Sequence, residues 1–266
     1  MDTVTAARSF HPLLRQRAEE IEQARRLPAD IAESFARAGL FRTAVPRSIG
    51  GLECPPSVIM ETIETVSLAD ASAGWCVMVG STSGMSAAYL EPAAAREIYG
   101  HPMAITGGSN TPNGRAQVEG DGYRLSGRWP WLSGGANCQW VKGISVVLED
   151  GKPRLLPTGA PDARMMVFPM SAVTLIDTWQ VAGLAGTGSL DMEVKDIHVP
   201  HAFSYSLVTD KPHERGPLYQ FPAFGLLALG IAAVALGNAR AAIDDLVELA
   251  GGKRPQGSKR TLAERP

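Results

Sequence analysis

The sequence lacks an excess of charge of either sign. It carries 25 Lys and Arg against 27 Asp and Glu over 266 residues, for a formal net charge of −2. This balance offers no electrostatic attraction for nucleic acid or for an anionic membrane. We therefore expect the partner to be a small molecule or another protein.

Cysteine is scarce as well. Cys54, Cys76 and Cys138 form no CxxC pair, and none of them lies beside a histidine at metal-ligand spacing. The sequence therefore predicts structural thiols and no metal site.

Long apolar segments are almost absent. The stretch Met1 to Arg26 is charged throughout and lacks the apolar core of a secretory signal, so we expect a cytoplasmic location. The stretch from Ala223 to Leu236 is nearly all apolar but short for a bilayer crossing, and Asn238 and Arg240 follow it. It predicts a core helix.

The familiar hydrolase and metal motifs are missing too. The chain contains no paired carboxylates, HExxH, P-loop, GxSxG or Cys/His constellation, and no GxGxxG follows a plausible strand. These absences exclude the usual hydrolase and metal-dependent classes.

What is present begins with helical spacing up to about Gly100. Helices are predicted over 29–40 and 57–68, and Asp70 or Ser72 is a suitable N-cap for a further helix that carries Trp75, Met78 and Met85. This last helix is rich in glycine and serine, so its neighbour must approach closely. That neighbour is either another helix or a ligand.

Strand patterns replace the helical spacing from Ala116 to about Tyr205. The pattern predicts one hairpin over 116–127 with its turn at Gly120-Asp121-Gly122, a second hairpin from segments 140–148 and 154–157, and strands over 173–176 and 192–199. Short strands with regular turns are typical of a small β-sandwich or barrel.

Helical spacing returns over 221–250 and stops at Gly251-Gly252. Thr261 and Glu264 then have the spacing of a capping box, which predicts the start of another helix. A helix hairpin without partners cannot bury its apolar stripe. We therefore expect further helices, either from sequence beyond residue 266 or from another subunit.

Two segments combine tryptophan with small polar residues: Trp129 to Gly135, and Trp179 to Ser189. A flat aromatic cofactor needs an indole to stack on, glycines that admit backbone amides, and hydroxyls for its ring heteroatoms. A sandwich core with two buried tryptophans explains the same residues. Both interpretations stay open on the residues alone.

In its order of motifs the chain resembles the acyl-CoA dehydrogenase superfamily. Three sets of motifs carry the resemblance. The N-terminal helical domain of that superfamily is matched by Ala38 to Phe41, Val45-Pro46, Gly50-Gly51, Ile63-Glu64 and Asp70 to Trp75. Its flavin strand is matched by Ser126 to Gly134, and the end of its middle domain is matched by Trp179 to Ser189 and Asp196 to Pro200. The resemblance covers essentially the whole chain.

The resemblance implies an α+β multidomain fold and a flavin, either FAD or FMN. We expect an N-terminal helical domain (1–105), a middle β-sandwich or barrel domain that binds flavin (106–207), and the incomplete start of a C-terminal four-helix bundle (208–266). The resemblance also implies a homotetramer and a C-terminally truncated chain.

The resemblance further assigns site residues. Trp131 is expected against the isoalloxazine ring and Ser133 near flavin N5, with Gly134 also binding the cofactor. The segment 107–111, which includes Ser109 and Asn110, is expected as a loop whose backbone amides face the pyrimidine edge. Trp75, Val79 and Ser83 are expected in the substrate pocket. In both branches of the superfamily the catalytic group, a glutamate or a histidine, usually lies in the C-terminal bundle, so the resemblance implies a position beyond residue 266. None of the five histidines present matches a catalytic position of the family.

Two branches of the superfamily remain open. Acyl-CoA dehydrogenases pass hydride from substrate to FAD, but their usual Gly-Ser-Asp loop pattern is absent here. The Trp131 and Trp179 segments are more similar to two-component flavin monooxygenases, which take reduced flavin from a partner flavin reductase. Against that branch, Ser83 and Ala185 stand where a histidine and an arginine are common. A further alternative is a catalytically incomplete chain that acts only as an assembly partner.

Overall fold

The computed structural model describes residues 2–264 and arranges them as helices, then strands, then helices. The predicted succession of a helical, a β and a second helical region is thereby confirmed. The N-terminal part consists of eight α-helices: α1 (Thr3–Ser9), α2 (His11–Gln16), α3 (Ala18–Ala24), α4 (Ala29–Arg37), α5 (Pro56–Ala69), α6 (Ala71–Ser83), α7 (Ser86–Tyr89) and α8 (Pro92–Tyr99).

Local signals set two of the helix boundaries. The Asp70 carboxylate accepts a hydrogen bond from the N–H of Ala73 at 2.7 Å and begins α6 as an N-cap, as predicted. Gly39 takes a left-handed conformation with φ +76° just after α4, so this helix ends at Arg37 rather than at residue 40.

The helix that was predicted to carry Trp75, Met78 and Met85 without interruption is divided into α6 and α7. The N–H of Gly84 bonds to the carbonyl of Ser81 at 3.0 Å, and the N–H of Met85 bonds to that of Thr82 at 3.2 Å. Backbone hydrogen bonds to the carbonyl three residues earlier tighten the turn and change the direction of the chain.

The middle of the chain forms one hydrogen-bonded sheet of eight strands with the order β6-β7-β2-β1-β3-β5-β8, and β4 pairs with β3. The strands are β1 (Thr106–Glu119), β2 (Gly122–Leu132), β3 (Trp140–Glu149), β4 (Lys152–Pro153), β5 (Ala163–Pro169), β6 (Thr174–Ile176), β7 (Leu190–Pro200) and β8 (Ser204–Tyr205). The central pair β1 and β3 is parallel, and the other pairs are antiparallel.

The first predicted hairpin is confirmed, with Val118 opposite Tyr123 across the Gly120 turn. The second is shorter than predicted, because β4 covers only Lys152–Pro153 and most of β3 pairs with β5 instead. Strand β5 was missed in the sequence. The segment 107–111, expected as a loop, lies inside β1, where the pairing with β3 shifts between Ser109 and Gly114.

Trp129 forms the core of this sheet. Its indole is 0% exposed, and its Nε1 donates a hydrogen bond to the carbonyl of Ile144 at 2.7 Å. Glycines make room for it: a Cβ at Gly143 would lie 2.5 Å from the indole, and a Cβ at Gly114 would lie 2.4 Å from it. The indole therefore fills a space that only glycine neighbours leave open.

The C-terminal part contains α9 (Pro217–Gln220) and α10 (Ala223–Gly252). Helix α10 packs against α5 and α6 through a buried stripe, and at Gly237 a Cβ would lie 2.5 Å from the carbonyl oxygen of Glu64. Its 30 residues are long and apolar enough to cross a membrane by length and composition, although the apolar run seen in the sequence is shorter, and its buried stripe agrees with the predicted core helix. Thr261 and Glu264 form the expected backbone-to-carboxylate hydrogen bond, at 2.7 Å.

The face of α10 that points away from α5 is exposed and apolar. The exposed side chains are Phe224, Leu229, Ile231, Leu236, Ile243, Leu246, Val247 and Leu249. Residues 2–264 leave this apolar face exposed to solvent.

Candidate active site

A cavity of about 630 Å³ lies between α6 and α7, the sheet, and the first turns of α10. Its lining combines apolar side chains with hydroxyls: Trp75, Met78, Val79, Thr82, Ser83, Met85 and Ser86 from the helices; Gly108, Ser109, Asn110, Thr111, Trp131, Ser133, Lys142, Met165 and Tyr205 from the sheet and its edge; Trp179, Leu184, Thr187, Ser189 and Leu207 from connections and the start of β7; and Ala223, Leu227 and Ile231 from α10. A concave, mostly apolar space with a few polar groups is the usual form of a small-molecule site.

Trp131 faces this cavity. Its side chain is 60% exposed, whereas Trp129, two residues earlier on β2, is fully buried. Trp131 has a left-handed backbone with φ +65°, at a place where the pairing of β2 with β7 shifts. Such a conformation is uncommon and strained for a bulky residue, and it turns the indole out of the sheet core. Of the two tryptophans, one therefore forms the core and the other remains available to a ligand.

Ser133 begins a chain of hydroxyls at the cavity wall. Its Oγ accepts a hydrogen bond from Trp75 Nε1 at 3.0 Å and lies 2.7 Å from Ser189 Oγ. Ser189 Oγ lies 2.6 Å from Thr187 Oγ1, and Thr187 Oγ1 donates to the carbonyl of Leu184 at 2.9 Å.

The carbonyl at the end of this chain fixes the direction of every bond in it. A carbonyl can only accept, so Thr187 uses its one proton on Leu184 and accepts from Ser189. Ser189 has then used its proton, so Ser133 must donate to Ser189. Ser133 has no proton left for the cavity and offers an acceptor lone pair to a ligand there.

The other cofactor residues predicted from the sequence lie in two places. Ser109 and Asn110 line the cavity on β1, with Ser109 buried and Asn110 exposed. Gly134 lies outside the cavity lining, with φ +68°, and its N–H donates to the carbonyl of Thr187 at 2.8 Å. Gly134 thus supports the hydroxyl chain from behind.

The predicted substrate-pocket residues Trp75, Val79 and Ser83 all line the cavity on α6. Trp75 additionally connects this wall to Ser133 through its indole N–H. Among residues 2–264, no histidine, aspartate or glutamate lines the cavity. Contact of Trp75, Val79 or Ser83 with a substrate, and of the predicted cofactor residues with a flavin, stays a prediction.

Among the described residues, Lys142 is the one charged side chain in the cavity lining, and sequence reasoning missed it. Its Nζ donates to Ser86 Oγ at 2.6 Å and to the Ser83 carbonyl at 3.3 Å, and burial lowers the pKa of this amine to about 7. The signal in the sequence was a single basic residue inside an otherwise uncharged strand, Trp140 to Leu148.

These residues fit a flavin ring. Trp131 presents an open indole face, Ser133 presents one directed acceptor, and β1 brings backbone and hydroxyl groups to the same space. A planar ring with polar edges requires this combination of a stacking surface and a few directed polar groups.

Comparisons with known proteins agree with this geometry. Residues 4–97 match the family described as Acyl-CoA dehydrogenase, N-terminal domain, and residues 229–266 match Acyl-CoA dehydrogenase, C-terminal domain. The chain is 34% identical over 254 residues to the indole-3-acetate monooxygenase of Pseudomonas putida, and the match covers 95% of this chain and 63% of that protein.

The chain is also 31% identical over 221 residues to the flavin-dependent monooxygenase, oxygenase subunit HsaA, of Mycobacterium tuberculosis, with 79% of this chain and 54% of that protein covered. Among solved structures, XiaF from Streptomyces sp. in complex with FADH2 and glycerol superimposes with a TM-score of 0.85 at 27% identity, over 97% of this chain and 66% of that one.

The chain therefore spans less than two thirds of the length of these curated relatives. Within that span, the family matches at both ends, the order of helices and strands, and the likeness to a solved flavin complex all agree. The chain belongs to the acyl-CoA dehydrogenase superfamily.

Proposed function

We propose that this chain is the oxygenase component of a reduced-flavin-dependent monooxygenase that acts on an aromatic small molecule. The observation that carries the proposal is the chain of hydroxyls from Ser133 to the Leu184 carbonyl, because the carbonyl end sets the direction of its bonds and leaves the Ser133 hydroxyl as an acceptor at the cavity. Reduced flavin carries a proton on N5, whereas the same nitrogen in oxidised flavin has none to donate. An acceptor beside N5 therefore suits the reduced ring.

The residues of the chain would contribute binding, orientation and exclusion of water. Trp131 would stack on the ring, Ser133 Oγ would accept a hydrogen bond from the N5–H, and the apolar wall from Met78, Val79 and Leu227 would keep bulk water out. When bound, the reduced flavin would supply the electrons that activate molecular oxygen. Either FAD or FMN would satisfy this role.

The names of the relatives support the monooxygenase branch and the need for a partner protein. Both curated relatives are monooxygenases, and the mycobacterial protein is named as an oxygenase subunit. An oxygenase subunit that uses reduced flavin requires a separate source of it, so we propose a flavin reductase as the partner. The Pseudomonas putida relative is named for indole-3-acetate. A planar aromatic substrate of similar size would suit the apolar lining here.

Two assays on the purified protein separate the branches. We expect it to couple oxygen consumption to an aromatic substrate when chemically reduced flavin is supplied, and we expect acyl-CoA thioesters to leave oxidised flavin unbleached. Bleaching by a thioester, with no hydroxylated product formed from the aromatic substrate, reduced flavin and oxygen, would assign the dehydrogenase branch instead.

We also propose a homotetramer, in which helices of the other subunits cover the exposed face of α10.

The exposed face of α10 allows a direct test of this assembly. Leu246 and Val247 lie on that face, and a glutamate at either position would add charge to an apolar contact. We expect Leu246→Glu to shift the protein to smaller species in size-exclusion chromatography with light scattering. Asp244→Asn on the same helix is the control and should leave the mass unchanged. A monomeric wild type would refute the tetramer.

A further inference from the structure

Lys142 reaches the cavity from the centre of the sheet. It pairs with Gly108 across the parallel strands β1 and β3, and a Cβ at Gly108 would lie 2.4 Å from Lys142 Cγ. Because Gly108 has no side chain, the lysine stem can cross it and extend toward α6 and α7. The ammonium group is therefore held at one end of the cavity.

The hydrogen bonds that Lys142 makes with the described residues leave one of its donors free. An ammonium group has three N–H donors. One bonds to Ser86 Oγ at 2.6 Å, and a second makes a longer bond to the Ser83 carbonyl at 3.3 Å. Ser86 Oγ is in turn fixed by Tyr205 OH at 2.6 Å. The third donor has no partner among residues 2–264 and remains for a cavity ligand.

The described residues also provide no counterion for the charge of Lys142. Within residues 2–264 it forms no ion pair, and no carboxylate lines the cavity. By contrast, Arg25 and Arg164 are each paired with an aspartate. A partly buried cation without a partner is costly, and the cost falls when an anion binds next to it.

On the basis of the proposed function, we infer that Lys142 binds the carboxylate of an aromatic acid substrate and thereby determines specificity. A carboxylate is an acceptor only, so it matches both the free donor and the missing negative charge. The apolar lining from Met78, Val79 and Met165 would then take the aromatic body.

The pH dependence of binding follows from the groups around Lys142. Burial raises the pKa of Tyr99 to about 12 and that of Cys138 to about 12, and it raises the pKa of Tyr205 further, so all three stay neutral near pH 7. Lys142 alone among them titrates there, with a pKa of about 7. A bound carboxylate favours the ammonium form. Affinity for the acid should therefore be highest below pH 7 and should fall about tenfold per pH unit above it.

The test is calorimetric titration with indole-3-acetate and its neutral analogue indole-3-acetamide, on wild type and Lys142→Met. We expect the substitution to weaken binding of the acid by about 10- to 100-fold, to change binding of the amide little, and to abolish the pH dependence. Lys152→Met removes an exposed lysine at the far end of β3 and β4 and serves as the matched control. Equal affinity of wild type and Lys142→Met for the acid, or no preference of wild type for acid over amide, overturns the inference.

Two further measurements separate this inference from the proposed function. Binding of reduced flavin should be unchanged in Lys142→Met; a loss of flavin affinity with the acid affinity intact would place Lys142 at the cofactor and overturn the inference. Lys142→Met should also keep its affinity for phenol, which is aromatic but has no carboxylate. A loss of affinity for phenol in this variant, with the affinity for the acid unaffected, would overturn the carboxylate assignment. If wild type binds the acid through Lys142 but binds no flavin, the proposed function fails and the inference stands.

Discussion

Trp129→Ala is expected to lower the free energy of unfolding by about 3–5 kcal/mol, as other truncations of large buried aromatics do. The indole of Trp129 is fully buried, is bonded to Ile144, and sits where Gly114 and Gly143 leave room only for it. The methyl group of alanine leaves a cavity that these neighbours cannot fill. Denaturation by urea, monitored by far-UV circular dichroism, measures the change.

Trp131→Ala is the matched comparison, on the same strand and with the same change of side chain. Because Trp131 is 60% exposed, its loss should alter the free energy of unfolding by roughly 0.5 kcal/mol or less. Its loss should instead weaken flavin binding by about tenfold or more, since the stacking surface is gone. Equal destabilisation by the two substitutions would show that both indoles belong to the core and would remove the stacking role of Trp131.

Ser133→Ala is expected to reduce affinity for reduced flavin by about 5- to 10-fold and to leave affinity for oxidised flavin nearly unchanged. Ser133 provides an acceptor and no proton to the cavity, so only the ring that carries an N5 proton loses a hydrogen bond. Anaerobic titrations with dithionite-reduced and oxidised flavin, followed by tryptophan fluorescence, give the ratio of the two dissociation constants.

Ser189→Ala tests the direction of the hydroxyl chain independently. Without Ser189 Oγ, the proton of Ser133 has no partner in the wall and can turn toward the cavity. The protein should then still bind flavin, but its preference for the reduced form should fall. Ser83→Ala lies on the same cavity and should keep the wild-type ratio. A wild-type ratio in Ser189→Ala would contradict the assigned direction.

The sequence was sufficient for those features that local patterns determine. Alternation and a Gly-Asp-Gly turn located the hairpin of β1 and β2, and Asp70 located the start of α6. The identity of the motif residues also indicated that Trp131 and Ser133 belong together, and the structure places both on one cavity.

The remaining features depend on contacts between distant segments. The acceptor role of Ser133 requires Ser189, which is 56 residues away, and a carbonyl that no motif identifies. The burial of Lys142 depends on its register opposite Gly108 and on the turn between α6 and α7. Strand β5 lacks the alternation of a half-buried strand because four successive residues, 165–168, are buried.

The central claim is that this cavity binds reduced flavin through an acceptor at Ser133, and the ratio of affinities of the wild-type protein for reduced and oxidised flavin tests it most directly. Reduced flavin gains a hydrogen bond from its N5–H to Ser133, whereas N5 of oxidised flavin is left without a partner. We therefore expect reduced flavin to bind about tenfold or more tightly than oxidised flavin, under anaerobic conditions and at equal ionic strength. Equal binding of the two forms, tighter binding of the oxidised form, or binding of neither would contradict the account.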